Sequence, residues 1–463
     1  MWENKCSVLK MKLRVLLIAM TLGCLVYVQT TSAQVTKTIG GTGANYPTLK
    51  LAFDAVNAGT LTGAITLQIT GSTTETAAAT LNATGTGSAN YSSVNIYPTL
   101  TGLSVSGNLA GPLISLNGAD MVTIDGRVNA TGSTKDLILT NSNTGTAAST
   151  IRLINSAENN TIKYCTIKGS ETSATAGVIF FSTATAGNGN DGNLIDNNNL
   201  TGEAGGTPMN VVYSSGTSGH ENGNNAISNN NIYDYIKAGS NSFGINLESY
   251  STQWSITGNS FYEKAAYAPV SFIAALFGGI RINNPAGTNF TISGNFIGGR
   301  DALCGGAAWT VTLTSATVFY GIYINSGTSA ASSIQQNTIR NFQWSGWGNN
   351  PWNGIYVAAG SVNIGTASGN TIGADNGNGS VTIENTNENG ISYGMYADGS
   401  GDLAIKNNSI GSITTKNLPA KSHDFYAICR KGSGSTTISN NLIGSLTTAK
   451  SIDATIANSI RLS

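Results

Sequence analysis

The stretch Ile292-Ser293-Gly294-Asn295-Phe296-Ile297 is one copy of a recurring phrase: apolar, two residues, a turn residue, one residue, apolar. Other copies read Ile162-x-x-Cys165-x-Ile167, Ile195-x-x-Asn198-x-Leu200, Ile227-x-x-Asn230-x-Ile232 and Ile256-x-x-Asn259-x-Phe261. Later ones read Ile334-x-x-Asn337-x-Ile339, Ala367-x-x-Asn370-x-Ile372, Ile405-x-x-Asn408-x-Ile410 and Ile438-x-x-Asn441-x-Ile443. Successive turn residues lie 33, 32, 29, 36, 42, 33, 38 and 33 positions apart. A period of that size marks stacked supersecondary units.

Apolar residues five apart cannot share a face of one continuous strand, because side chains alternate with period two. Both point inward when the chain bends between them. Asn tolerates the left-handed backbone of such a bend and hydrogen-bonds locally. Stacked coil on coil, the amides are also placed to bond along the axis. The expectation is a structural ladder of Asn198, Asn230, Asn259, Asn295, Asn337, Asn370, Asn408 and Asn441, with Cys165 weakening its N-terminal end.

A second phrase alternates with the first: Gly177-Val-Ile179-Phe, Asn210-Val-Val-Tyr213, Gly244-Ile245-Asn-Leu247, Gly279-Ile280-Arg-Ile282 and Gly321-Ile322-Tyr-Ile324. It continues as Gly354-Ile355-Tyr-Val357, Gly394-Met395-Tyr-Ala397, Ala427-Ile428-Cys-Arg430 and Ser459-Ile460-Arg-Leu462. Three short strands per coil around an Ile-filled interior predict an all-β, single-stranded parallel β-helix. At ~4.8 Å per coil, about 12 coils make a stack on the order of 55–60 Å long.

The Ile-x-x-Asn-x-Ile phrase resembles the right-handed parallel β-helix repeat of secreted bacterial proteins and pectin-degrading enzymes, the pectin-lyase-like superfamily. The resemblance spans roughly residues 90–463 and implies fold, while saying almost nothing of function. Ahead of it, residues 34–89 read as an N-terminal cap and first strands. There Leu49, Ala52, Phe53 and Val56 fall on one helical face, with Thr48 as N-cap and Asn57 to Gly59 as terminator, predicting an amphipathic capping helix over about 48–58. Such a helix covers an otherwise open strand edge. The segment from Thr38 through Tyr46 to Ile69 resembles the N-terminal cap of pectin methylesterases.

The first 33 residues carry Lys5, Lys10, Lys12 and Arg14 before an apolar run from Val15 to Val28, then Thr31-Ser32-Ala33. This reads as a secretory signal peptide cut after Ala33. The apolar run is about 14 residues, against the ~20 a spanning helix needs, so no transmembrane segment is expected in the mature chain. The predicted location is secreted or cell-surface. Cys165, Cys304 and Cys429 then remain, and an odd count at wide spacing is neither a disulfide framework nor a metal site.

Composition agrees with a folded, stacked chain. Gly is 57 of 463 residues, 40% are hydrophobic and only 10% charged, yet the Ile positions keep their period. With 23 basic and 23 acidic residues the net charge is zero, which disfavours nucleic acid as a partner. No cofactor or metal is expected.

The catalytic signatures of the resembled enzymes are absent. Ser218-Gly219-His220-Glu221 and Arg281-Ile282-Asn283 depart from the polygalacturonase motifs at the residues that do the chemistry. Neither the pectin methylesterase motifs nor a lyase-type Asp cluster occurs. The remaining ionisable candidates are His220-Glu221, His423-Asp424, and Arg300-Asp301 with Lys264.

The coils vary on one side only. From the Gly-Ile strand to the next ladder Asn the separation is 13 to 15 residues between Ile245 and Asn441; from ladder Asn to the next Gly-Ile strand it runs from 15 to 27 between Asn230 and Met395. Insertions that leave at one turn crowd one face of a solenoid, where binding surfaces form. They hold Tyr262, Tyr267, Phe272, Trp309, Phe319, Trp344, Trp347 and Trp352. Aromatic planes among Asn, Ser and Gln suit a neutral sugar, so Tyr262, Tyr267, Trp309, Trp344, Trp347 and Trp352 are the expected ligand contacts. The resulting expectation is a secreted or cell-surface module that binds a polysaccharide or surface glycan, or mediates adhesion. A polysaccharide lyase or glycoside hydrolase with an unrecognised active site is the alternative. A structural spacer of a larger surface protein, continuing beyond Ser463, is the third reading.

Overall fold

The computed structural model describes residues 34–203, 206–237, 239–268, 273–346, 352–386, 389–417 and 422–454. The expected signal peptide, Trp347, Phe272 and the last copy of the second phrase lie outside the described residues. The described residues from Val35 onward form one compact unit.

Among the described residues three parallel sheets carry the coils, with 13, 12 and 11 strands. One coil shows the course: Ser255–Thr257 in the first sheet, Ser260–Tyr262 in the second and Leu276–Asn283 in the third. Each strand pairs with its counterpart one coil on, as Ile256 does with Ile292 and Ile245 with Ile280. The fold is a right-handed parallel β-helix, the sense parallel crossovers adopt. Its axis is filled by in-register rows such as Ile227, Ile256, Ile292, Ile334 and Ile364, each at most 1% exposed. Full burial of such a side chain contributes roughly 1.5–3 kcal/mol, so the rows dominate cohesion in a chain with few charges.

The Asn ladder is continuous from Asn198 to Asn441. Each side-chain Nδ2 donates to the Oδ1 of the next ladder Asn at 2.8–3.1 Å. The same Nδ2 also donates to the first Ile carbonyl of the preceding coil, as Asn295 does to Ile256 at 2.9 Å. At the N-terminal end Cys165 supplies no side-chain amide: its backbone N–H donates to Asn198 Oδ1 at 2.9 Å while its thiol donates to Lys163 O.

Two sequence expectations need correction. The left-handed residue of the bend is the one before the ladder Asn: Tyr164, Asn197, Asn229, Gly258, Gly294, Gln336, Asn407 and Asn440 all have positive φ. The preceding residue makes the turn, leaving the ladder amide free to point inward. In the seventh copy the inward residue is Ile364, not Ala367, because the strand is Val362–Ile364 and pairs Ile364 with Ile405. Residues 365–369 are an insertion, held by Gln335 Oε1, which accepts the N–H groups of Ala367 and Ser368.

The N-terminal helix is Leu49–Asn57, capped by Thr48, with Leu49, Ala52, Phe53 and Val56 buried. It covers the first strand of the third sheet, Ala79–Asn82. Asn57 supplies edge bonds in place of a strand, donating to Thr80 O at 2.8 Å and accepting from Asn82 N at 3.0 Å. The buried Glu75 carboxylate accepts the N–H groups of Leu49 and Lys50, where the helix dipole favours negative charge.

Candidate functional site

The variable arcs do not end as loops. Trp309–Thr312, Phe342–Gly346, Val381–Asn385, Ile413–Asn417 and Ile452–Ala454 stack as a fourth parallel sheet, the first four each lying between the second- and third-sheet strands of its coil. Alternation along these strands turns Trp309, Val311, Phe342, Trp344, Val381 and Ile383 into the core. Trp309 stacks on Phe342 at 5.2 Å and Phe319 sits 5.1 Å from Trp344 and 6.2 Å from Trp352.

This relocates the aromatic patch expected on the surface. Trp309, Trp344 and Trp352 are all 0% exposed, so their ring faces meet other side chains rather than solvent. Tyr262 is buried and stacks on Tyr233 at 5.1 Å, while Tyr267 is half-buried against the core. Insertion length located the variable arc but not the strand alternation that turns its rings inward.

The structure does put aromatics outside, on the third sheet. The paired register of its strands passes over Gly244, Gly279, Gly321, Gly354 and Gly394, where second-sheet side chains approach closely: a Cβ on Gly321 would lie 2.5 Å from Gly354 O and 2.9 Å from Ile339 Cδ1. The residues flanking the glycine line up in two rows, in which Tyr320, Tyr323, Tyr356, Tyr396 and Tyr426 are half-exposed while Tyr213, Asn246, Asn353 and Tyr393 are buried. One row runs Phe180, Tyr213, Asn246, Arg281, Tyr323, Tyr356, Tyr396 and Cys429 in register. A second runs Tyr320, Asn353, Tyr393 and Tyr426.

The tyrosines form one connected face. Tyr323 and Tyr356 stack at 5.3 Å with planes 6° apart, Tyr356 meets Tyr396 at 5.1 Å, and Tyr393 stacks on Tyr396 at 4.4 Å. Neighbouring rings cover one another, leaving Tyr320, Tyr323, Tyr356, Tyr396 and Tyr426 half-exposed and Tyr393 buried among them. Burial pushes the Tyr320 and Tyr393 phenols up to about 12, so they stay neutral donors. Tyr356 donates to Asp398 Oδ2 at 2.9 Å.

Polar side chains flank the rows. Arg281 pairs with Glu248 and donates to Asn246 Oδ1 at 2.9 Å, its guanidinium 5.6 Å from the Tyr323 ring centre. Asn283 donates to Glu248 Oε2 at 2.9 Å and Asn325 donates to Asn283 Oδ1 at 3.0 Å. The guanidinium is thus neutralised in place, and the face presents amides and hydroxyls more than net charge. The signal for it was in the sequence, in the third position of Gly-Ile-Tyr-Ile, Gly-Ile-Tyr-Val and Gly-Met-Tyr-Ala, which alternation sends outward.

The other ionisable candidates do not assemble. His220 Nδ1 contacts Gly187 O at 2.6 Å, and Glu221 accepts Gly219 N. His423 is buried against Ser392. Lys264 lies 4.0 Å from Asp234, whereas Arg300 Nε donates to Ala308 O and Asp301 caps its own turn through Ala302 N. Among the described residues no three His, Cys, Asp or Glu side chains are grouped to hold a metal ion. Nor, among them, is any helix long and apolar enough to cross a membrane.

No family model matches the chain, and no curated protein matches it. Among solved structures it is similar to PfbA, a surface adhesin of Streptococcus pneumoniae, at 12% identity and a TM-score of 0.37, over 83% of this chain and 86% of that one.

Proposed function

We propose that this chain is a secreted or cell-surface binding module whose third-sheet tyrosine face engages a neutral polysaccharide, serving adhesion. The observation that supports this reading is the run of connected tyrosines from Tyr320 to Tyr426, flanked by Asn283 and Asn325. Phenol and amide groups repeating once per coil, about every 4.8 Å, offer a periodic hydrogen-bonding strip to an extended polymer. Arg281 on the strip is neutralised by Glu248, which favours a neutral ligand over a strongly anionic one.

The test is a glycan array followed by affinity measurement on wild type and a Tyr323→Ala/Tyr356→Ala/Tyr396→Ala triple variant. A polysaccharide retained by wild type and bound at least about tenfold more weakly by the variant supports the reading. Equal binding by both removes the face. Reducing-end or unsaturated-product release from the same glycans would move the protein to the lyase or hydrolase class, and absence of any glycan ligand to the spacer.

A further inference from the structure

His423 joins three strands near the C-terminal end of the stack. It opens the third-sheet strand His423–Arg430 and lies in register with Gly390 of the neighbouring strand Gly390–Ala397. Its side chain is 4% exposed. Nε2 is 3.0 Å from the hydroxyl of Ser392, itself fully buried, and Nδ1 is 3.4 Å from the carbonyl of Lys416 on the fourth-sheet strand Ile413–Asn417. A neutral ring fits both contacts, Nδ1–H donating to Lys416 O while Nε2 accepts from Ser392. The imidazole thereby ties the third sheet to the fourth.

A protonated ring has donors on both nitrogens. Ser392 would then have to turn its hydroxyl away within a buried site, and the charge would sit in apolar surroundings. Burial holds the imidazole down to about 4, with the Lys416 carbonyl and Asp424 pulling the other way. Among the described residues the ionisable side chains on these strands are Tyr393 and Tyr396 on the first, Lys416 on the fourth-sheet strand, and Asp424, Tyr426, Cys429 and Arg430 on its own. The sign follows: a His held below its ordinary value of about 6.5 favours the fold above that pH and loses the advantage as pH falls toward 4.

The neighbourhood determines what gives way. In a solenoid each coil is held by its neighbours, so coils whose inward residues are poorly covered open first. Ile405 and Ile410 are at most 1% exposed, whereas their counterparts one coil on, Ile438 and Ile443, are 51% and 42% exposed. The strands tied by His423 belong to the coil just before this weakly buried one, with Ile413 and Phe425 still fully buried, so the latch sits where the well-packed stack gives way to its loosely packed last described coil.

We propose that His423 is an acid-sensitive latch: its protonation releases strand Ile413–Asn417 from the third sheet and opens the C-terminal coils, while the rest of the stack stays folded. The opening would expose parallel strand edges and the apolar residues beneath them, a surface absent at neutral pH.

The test is hydrogen–deuterium exchange on the full chain between pH 7 and pH 4, corrected for intrinsic rates. Wild type is expected to lose at least tenfold protection in residues 413–417 and 423–430 at pH 4, with unchanged protection in residues 318–346, which hold no Asp, Glu or His. His423→Gln should keep those peptides within threefold across the range. Asp424→Asn leaves the ring contacts in place but removes a charge that favours the imidazolium, so its opening midpoint should move to lower pH. Unchanged protection in wild type overturns the latch, as does uniform loss along the chain or a midpoint indifferent to Asp424→Asn.

Discussion

Asn295 and Asn337 are joined twice across one coil step: Asn337 Oδ1 accepts both the backbone N–H of Asn295 at 3.0 Å and its side-chain Nδ2 at 2.9 Å. Asn337 in turn donates to Ile292 O and to Asn370 Oδ1. Each amide thus satisfies buried groups on both neighbouring coils, which makes the ladder a chain of obligations rather than a row of separate contacts.

Asn337→Ala would leave two buried donors of Asn295 and the Ile292 carbonyl unpaired. With about 1–3 kcal/mol per stranded group, partly relieved by relaxation, the expected loss is roughly 2–5 kcal/mol. Asn441→Ala strands the corresponding donors of Asn408 at a half-exposed position, where water can replace it. Denaturant unfolding of both variants checks the difference; equal losses would mean the ladder adds nothing beyond local turns.

Gly354→Ala should destabilise by about 1–3 kcal/mol, because the new methyl would lie 2.6 Å from Gly394 O and 2.9 Å from Ile372 Cδ1. The same slot at the end of the third sheet is Ala427, whose strand His423–Arg430 is the last described in that sheet. Ala427→Gly should therefore change the melting temperature little. A Gly354→Ala protein as stable as wild type would show that the close approach relaxes at no cost.

These positions also show what the sequence disclosed. The coil, the ladder and the capping helix were legible because each repeats a local rule: Ile every coil, Asn at every bend, Leu49 to Val56 on one helical face. Residues 365–369 were not, since Ala367 imitates the inward residue and only strand pairing reveals Ile364. The exposure of the aromatics was misjudged for a related reason. Trp344 and Tyr356 are both aromatic and near one arc, but only the sheet each joins determines which way it faces. Trp344 alternates inward beside Val311 and Ile383, and Tyr356 outward between Tyr323 and Tyr396.

Trp344 provides a direct test of that assignment. Trp344→Ala should cost about 3–5 kcal/mol, the range for truncating a buried aromatic. The indole N–H has no partner among the described residues, so Trp344→Phe forfeits no hydrogen bond and should cost about 1–2 kcal/mol. Tyr356→Ala, on the half-exposed face, should shift stability by under about 1.5 kcal/mol while weakening ligand. Thermal melts alongside glycan binding separate the two roles, and a Trp344→Ala variant of normal stability would return Trp344 to the surface.

The alkaline side of the stability profile should be governed in part by Glu263. Its Oε1 accepts the N–H groups of Tyr235 at 2.8 Å and Ile236 at 3.0 Å, tying one variable arc to the preceding coil. Burial pushes the carboxyl up to about 8 against the pull of those two bonds, and Asp234 pushes the same way. An acid raised in the folded state contributes stability that is full below its unfolded value near 4.5 and lost as pH rises through about 8. Glu263→Gln keeps an acceptor for both N–H groups and cannot ionise. Its stability should therefore be flat where wild type falls by on the order of 3–5 kcal/mol between pH 5 and 9. Urea midpoints for the two proteins at pH 5, 7 and 9 decide the matter, and parallel curves would show that Glu263 is ionised in the fold at neutral pH.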